Sequence, residues 1–93
     1  MTLLESYTAL DAACGPEINI LIEPTIKRYS FEQHPSLSYR IHLWLDRGLS
    51  MAFHFCREGT DLEALTREAI DAFRSWRAPS VARLSRELHD AAA

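Results

Sequence analysis

The chain is short of the residues that usually announce an activity. It has two cysteines, three glycines and four prolines in 93 residues. Cys14 and Cys56 allow at most one disulfide. One closes an expected helix and the other an expected strand, a spacing that matches neither a zinc site nor a redox pair, so both are read as free thiols. No apolar run approaches the roughly 20 residues of a membrane span. The N-terminus has neither a basic start nor an unbroken apolar stretch for secretion, so the expected location is cytoplasmic. Internal repeats, low-complexity tracts and linkers are also missing, and nothing matches a catalytic or cofactor signature. The expectation is therefore no enzymatic activity, no cofactor and no metal.

What is present suits one globular domain spanning residues 1–93. Hydrophobic residues make up 47%, charged residues 25% and aromatics 10%, which is ordinary for a single soluble domain and too little chain for two. Thirteen acids against ten bases give a net charge of −3, the wrong sign for a generic nucleic-acid binder. Basic ground gathers only toward the C-terminal end, at Arg74, Arg77, Arg83 and Arg86. No aromatics interleave with these arginines and two acids follow them, so they read as a solvated helical face before they read as a nucleic-acid site.

Periodicity divides the chain into six elements. Thr2 and Glu5 have the spacing of a capping box, and Leu3, Tyr7, Leu10 and Cys14 recur at helical intervals until Gly15-Pro16 stops a helix of residues 2–14. Ile18, Ile20 and Ile22 alternate with polar neighbours, which is strand patterning. Pro24 cannot donate to a ladder, so this strand is expected at a sheet edge or with a bulge, resuming through Ile26 to Phe31 with its faces partly switched. After a loop at 33–36, Leu37, Tyr39, Ile41, Leu43 and Leu45 alternate with polar residues, as do Leu49, Met51, Phe53 and Phe55, forming a hairpin. A two-residue turn at Arg47-Gly48 would set Ile41 against His54 and apolar against polar residues throughout. A three-residue loop, Asp46-Arg47-Gly48, instead joins Leu45 to Leu49, Leu43 to Met51, Ile41 to Phe53 and Tyr39 to Phe55, with Gly48 left-handed. Thr60 and Glu63 form a second capping box, opening a helix with the stripe Leu62, Leu65, Ala69, Phe73 and Trp76, and with Glu63 and Arg67 at ion-pair spacing. Ala78-Pro79 is expected to end it, leaving Val81, Leu84 and Leu88 to a last helix of residues 79–90.

The expected fold is α+β: a helix, a three-stranded antiparallel meander and two helices, with the helices mainly on one sheet face. Over residues 2–76 this order and length resemble the double-stranded-RNA-binding domain. That family grips phosphates with a lysine-rich start of its last helix, whereas the matching positions here are Thr60, Asp61, Glu63 and Glu68, which repel a phosphate backbone. The resemblance therefore carries over topology and no functional residues. Length, an Arg- and Ala-rich composition of the kind GC-rich genomes produce, and the lack of catalytic signatures also resemble small phage and prophage proteins of the anti-CRISPR inhibitor type. That resemblance implies a protein that acts by binding another protein.

Candidate site residues follow from the hairpin. Its polar side carries Arg40, His42, Trp44, His54 and Cys56. A large aromatic flanked by Arg and His has the composition of a protein-binding hot spot, so Arg40, His42, Trp44 and His54 are the expected protein-binding residues. The competing reading is that the last helix covers Trp44 and makes it core. His42, His54 and Cys56 are soft ligands on one face, yet no fourth ligand is evident and an ordinary polar face is the simpler reading. Nothing identifies an orienting acid or an oxyanion hole for a Cys-His pair. The expected partner is a protein, with room for a homodimer. Nucleic acid and membrane are not expected, and a degenerate RNA-binding domain using the C-terminal arginines is the alternative.

Overall fold

The computed structural model describes the backbone of residues 1–48 and 50–92 and the side chains of residues 1–48 and 51–78. The element order is α1 (Leu3–Cys14), β1 (Asn19–Lys27), β2 (Ser36–Arg47), β3 (Ser50–Gly59) and α2 (Leu62–Ala92). The strands form one antiparallel sheet in the order β1-β2-β3. The α+β class and the three-stranded meander are as the periodicity implies.

α1 begins as its sequence dictates. The Thr2 side chain accepts from the Glu5 N–H at 3.1 Å and Glu5 accepts from the Thr2 N–H at 3.0 Å, satisfying two backbone donors reciprocally. Gly15, at φ 81, ends it. The buried face differs from the expected stripe. Leu10 and Cys14 are buried, but Leu3 and Tyr7 are exposed and Ser6 takes the third buried position. Ser6 is tolerated because its hydroxyl lies 2.6 Å from that of Thr66. Thr66 itself donates to the Leu62 carbonyl at 2.7 Å, so its proton is committed and Ser6 must be the donor between the two.

β1 runs through Pro24 with an unbroken register to β2 and no bulge, while its half-buried positions change phase from Ile20 and Ile22 to Thr25 and Ile26 is left exposed. Edge position is enough to tolerate the proline, so no bulge is needed; the expected partial switch shows in burial alone, and the strand ends at Lys27 instead of running on to Phe31. Beyond it, the Glu32 N–H donates to the Tyr29 carbonyl at 3.1 Å, closing a turn with Phe31 third at φ 73. A positive φ at the third position alone defines a type II turn, which favours glycine there. A β-carbon in that conformation costs about 1–2 kcal/mol.

The β2–β3 register corrects the expected one. Arg47 lies opposite Ser50 and Asp46 opposite Met51. The pairing then shifts, and Leu45 meets Phe53, Leu43 meets Phe55 and Ile41 meets Arg57. Leu43–Met51, Ile41–Phe53 and Tyr39–Phe55 are therefore not partners, and Leu49 lies outside the described residues. The reason is a bulge at Ala52: the short turn alone would pair apolar with polar residues, and one extra residue restores face matching from Leu45–Phe53 onward, each partner lying four residues beyond the expected one. Gly48 has the expected left-handed backbone, at φ 63.

α2 corrects two further expectations. Its first turn is capped by Asp61, whose carboxylate accepts from the Ala64 N–H at 3.1 Å, in place of a Thr60–Glu63 box. It also continues to Ala92 as one helix of 31 residues instead of ending at Ala78-Pro79. Proline removes one N–H and crowds the preceding turn, but its φ suits a helix, and the alanines, arginines and leucines beyond it are good helix formers. The long helix gives dimensions of 69 × 29 × 19 Å and a radius of gyration of 17.5 Å, against about 12 Å for a compact chain of this length.

Leu62, Leu65, Ala69 and Phe73 of α2 join Leu10, Cys14, Ile18, Ile41, Leu43 and Phe53 in one buried cluster, with Ile20, Ile22, Leu45, Phe55 and Trp76 packed against it. Phe53, Phe73 and Trp76 meet with ring centroids 5.1 to 5.9 Å apart. This aromatic trio ties the bulged end of the sheet to α2.

Candidate protein-binding face

On the sheet side turned away from Ile41 and Leu43, the register builds three rows. Asn19, Trp44 and His54 form the first, Leu21, His42 and Cys56 the second, and Glu23, Arg40 and Glu58 the third. The sequence-predicted Arg40, His42, Trp44 and His54 are thus brought together. The corrected register preserves the grouping because the bulge changes partners without changing faces.

His42 is the hub. Its ring lies 4.5 Å from Trp44, tilted by 35°, and 4.8 Å from His54, edge-on at 87°. Trp44 and His42 are half-buried, while His54 and Cys56 are exposed. Asn19 donates from its side-chain amide to the Trp44 carbonyl at 3.2 Å, fixing the outer row. His42 Nε2 is buried without a hydrogen-bond partner. Burial, with His54 and Arg40 nearby, holds the His42 pKa below the usual histidine value.

Arg40 belongs to a charged row that sequence reasoning missed. Glu58 accepts from the Ser38 hydroxyl at 3.0 Å and pairs with Lys27 at 3.4 Å and Arg40 at 3.7 Å. The Ser38 hydrogen bond first, then Lys27, lowers the Glu58 pKa. These are exposed pairs and contribute little to the stability of the fold. Leu21 was missed too: it is an exposed apolar residue beside His42, legible only as the odd member of the Ile18–Ile22 alternation.

Among the C-terminal arginines, Arg74 and Arg77 are exposed on α2, with the Arg77 guanidinium 6.0 Å from the Phe73 ring. The Arg83 and Arg86 side chains lie outside the described residues. At the start of α2, Glu63 pairs with Arg67 at 3.7 Å and Glu68 with Arg57 at 3.3 Å. Cys14 is buried and its thiol pKa is pushed up by burial, and Cys56 is exposed; both are free thiols. Among the described residues no cluster of His, Cys, Asp or Glu is arranged to hold a metal, and no helix is long and apolar enough to cross a membrane. No protein-family model, curated protein or solved structure matches the chain.

Proposed function

We propose that this protein is a small non-enzymatic binding module whose partner is another protein, docked on the Arg40, His42, Trp44 and His54 face. The observation that carries this reading is the contacting ring group of Trp44, His42 and His54 with exposed Leu21 beside it, on the side of the sheet away from the buried cluster. In this reading the helices pack mainly on one face of the sheet and leave the other to the partner. An aromatic anchor bordered by an arginine suits the desolvated centre and polar rim of an interface. The class we favour is an accessory or inhibitor protein of a phage or prophage, of the anti-CRISPR type, acting in the bacterial cytoplasm on a host protein complex.

A photocrosslinking residue at Leu21 tests this in cells. One dominant protein adduct is expected there, absent when Trp44→Ala is introduced and absent from a control crosslinker at Asp71 on α2. Indistinguishable adducts from both positions, or none from Leu21, overturn the reading. RNA binding by the purified protein at low salt that vanishes at moderate salt would favour the RNA-binding alternative.

A further inference from the structure

Phe31 is held where its turn favours glycine, and its ring gains no packing within the chain: the residue is 102% exposed. Tyr29, two residues before it, and Ile26, near the end of β1, are 63% and 73% exposed. The conformation is nevertheless pinned. The Tyr29 N–H donates to the Glu32 carboxylate at 3.2 Å, on top of the backbone bond that closes the turn. A disfavoured backbone kept in order to present a phenyl ring to solvent has the character of a pre-organised anchor.

A receptor of matching chemistry lies on the helix layer. α1 and α2 leave a shallow, open cleft of about 200 Å³ lined by Met1, Ala9, Glu63, Thr66, Arg67 and Ile70. The Thr66 hydroxyl is already satisfied by Ser6 and Leu62, so Ala9, Ile70 and Met1 supply an apolar lining. Glu63 and Arg67 stand on the rim as an exposed pair of opposite charges. Phe31 carries the complementary set, with Arg28 three residues before it and Glu32 directly after. Because Phe31 is fully exposed, it does not fill the cleft of its own chain.

We propose that the occupant of this cleft is Phe31 of a second copy, with Arg28 against Glu63 and Glu32 against Arg67 across the contact. This self-association uses a surface separate from the Trp44 face. Sedimentation velocity on the intact protein from micromolar to submillimolar concentration tests it. The wild type should associate with concentration. Phe31→Gly should weaken association by about tenfold or more while raising the melting temperature by about 4 °C or more, through relief of the turn. That gain excludes misfolding as the cause. Arg28→Glu and Glu63→Arg should each weaken association alone, and an equimolar mixture of the two should restore it. A wild type that stays monomeric throughout, or a Phe31→Gly variant that associates normally, overturns the inference. Association lost in Trp44→Ala but kept in Phe31→Gly also overturns it, and leaves the proposed function standing.

Discussion

The imidazole of His42 lies 4.5 Å from the indole of Trp44, so the largest apolar group on the outer sheet face is braced by a neutral ring beside it. Trp44 is only half-buried, and no ring of the buried cluster touches it. Trp44→Ala should therefore cost stability on the scale of one aromatic pair, about 1 kcal/mol, and weaken partner binding by about 2 kcal/mol or more. Thermal melts and binding isotherms on the same variant check this. A loss of ~3–5 kcal/mol in stability would mean that Trp44 is core instead.

The His42 pKa makes stability depend on pH in a defined direction. Burial comes first, then His54 and Arg40, in lowering it from 6.5. The folded state therefore binds fewer protons than the unfolded state between the lowered value and 6.5. Stability is fully present above about pH 6.5 and is lost as pH falls toward the folded value, below which the loss levels off. His42→Gln should flatten this dependence in melts run from pH 7.5 to 5, whereas an unchanged slope would assign it to other groups.

The α2 start bears on RNA. Binding of double-stranded RNA at physiological salt should be weaker than micromolar, because Asp61, Glu63 and Glu68 at the start of α2 repel a phosphate backbone. Asp61 is the helix cap, and replacing it would cost about 1 kcal/mol of helix stability. Glu63→Lys with Glu68→Lys is the cleaner reversal. It should raise RNA affinity and steepen its salt dependence by about 0.9 per added phosphate contact on duplex. Filter binding at two salt concentrations measures both.

The grouping of Arg40, His42, Trp44 and His54 was legible in the sequence because faces depend only on whether pairing shifts by an odd or even number. The partners were not legible, since Ala52 carries no mark of a bulge and a three-residue loop satisfied the same face rule. Pro79 misled because punctuation by proline is a tendency that neighbouring helix formers can outweigh. Ser6 was invisible to a hydrophobic pattern: its burial depends on a partner 60 positions away. The Phe31 turn was hidden for the opposite reason, since a residue disfavoured by local propensity gives no turn signal of its own.

That buried Ser6–Thr66 contact gives the sharpest stability test. Thr66 donates to the Leu62 carbonyl and accepts from Ser6, so its hydroxyl serves two bonds. Thr66→Val keeps the volume but strands the Ser6 hydroxyl in the interface of α1 and α2, at an expected cost of about 1–3 kcal/mol. Ser6→Ala removes the donor and leaves Thr66 still bonded to Leu62, so it should cost less. The double variant deletes both polar partners together, and its loss should fall short of the sum of the two single losses. Denaturant unfolding of the four proteins closes the cycle. Strict additivity would show that the two hydroxyls are not coupled, and that α1 is held against α2 by Leu10 and its apolar neighbours alone.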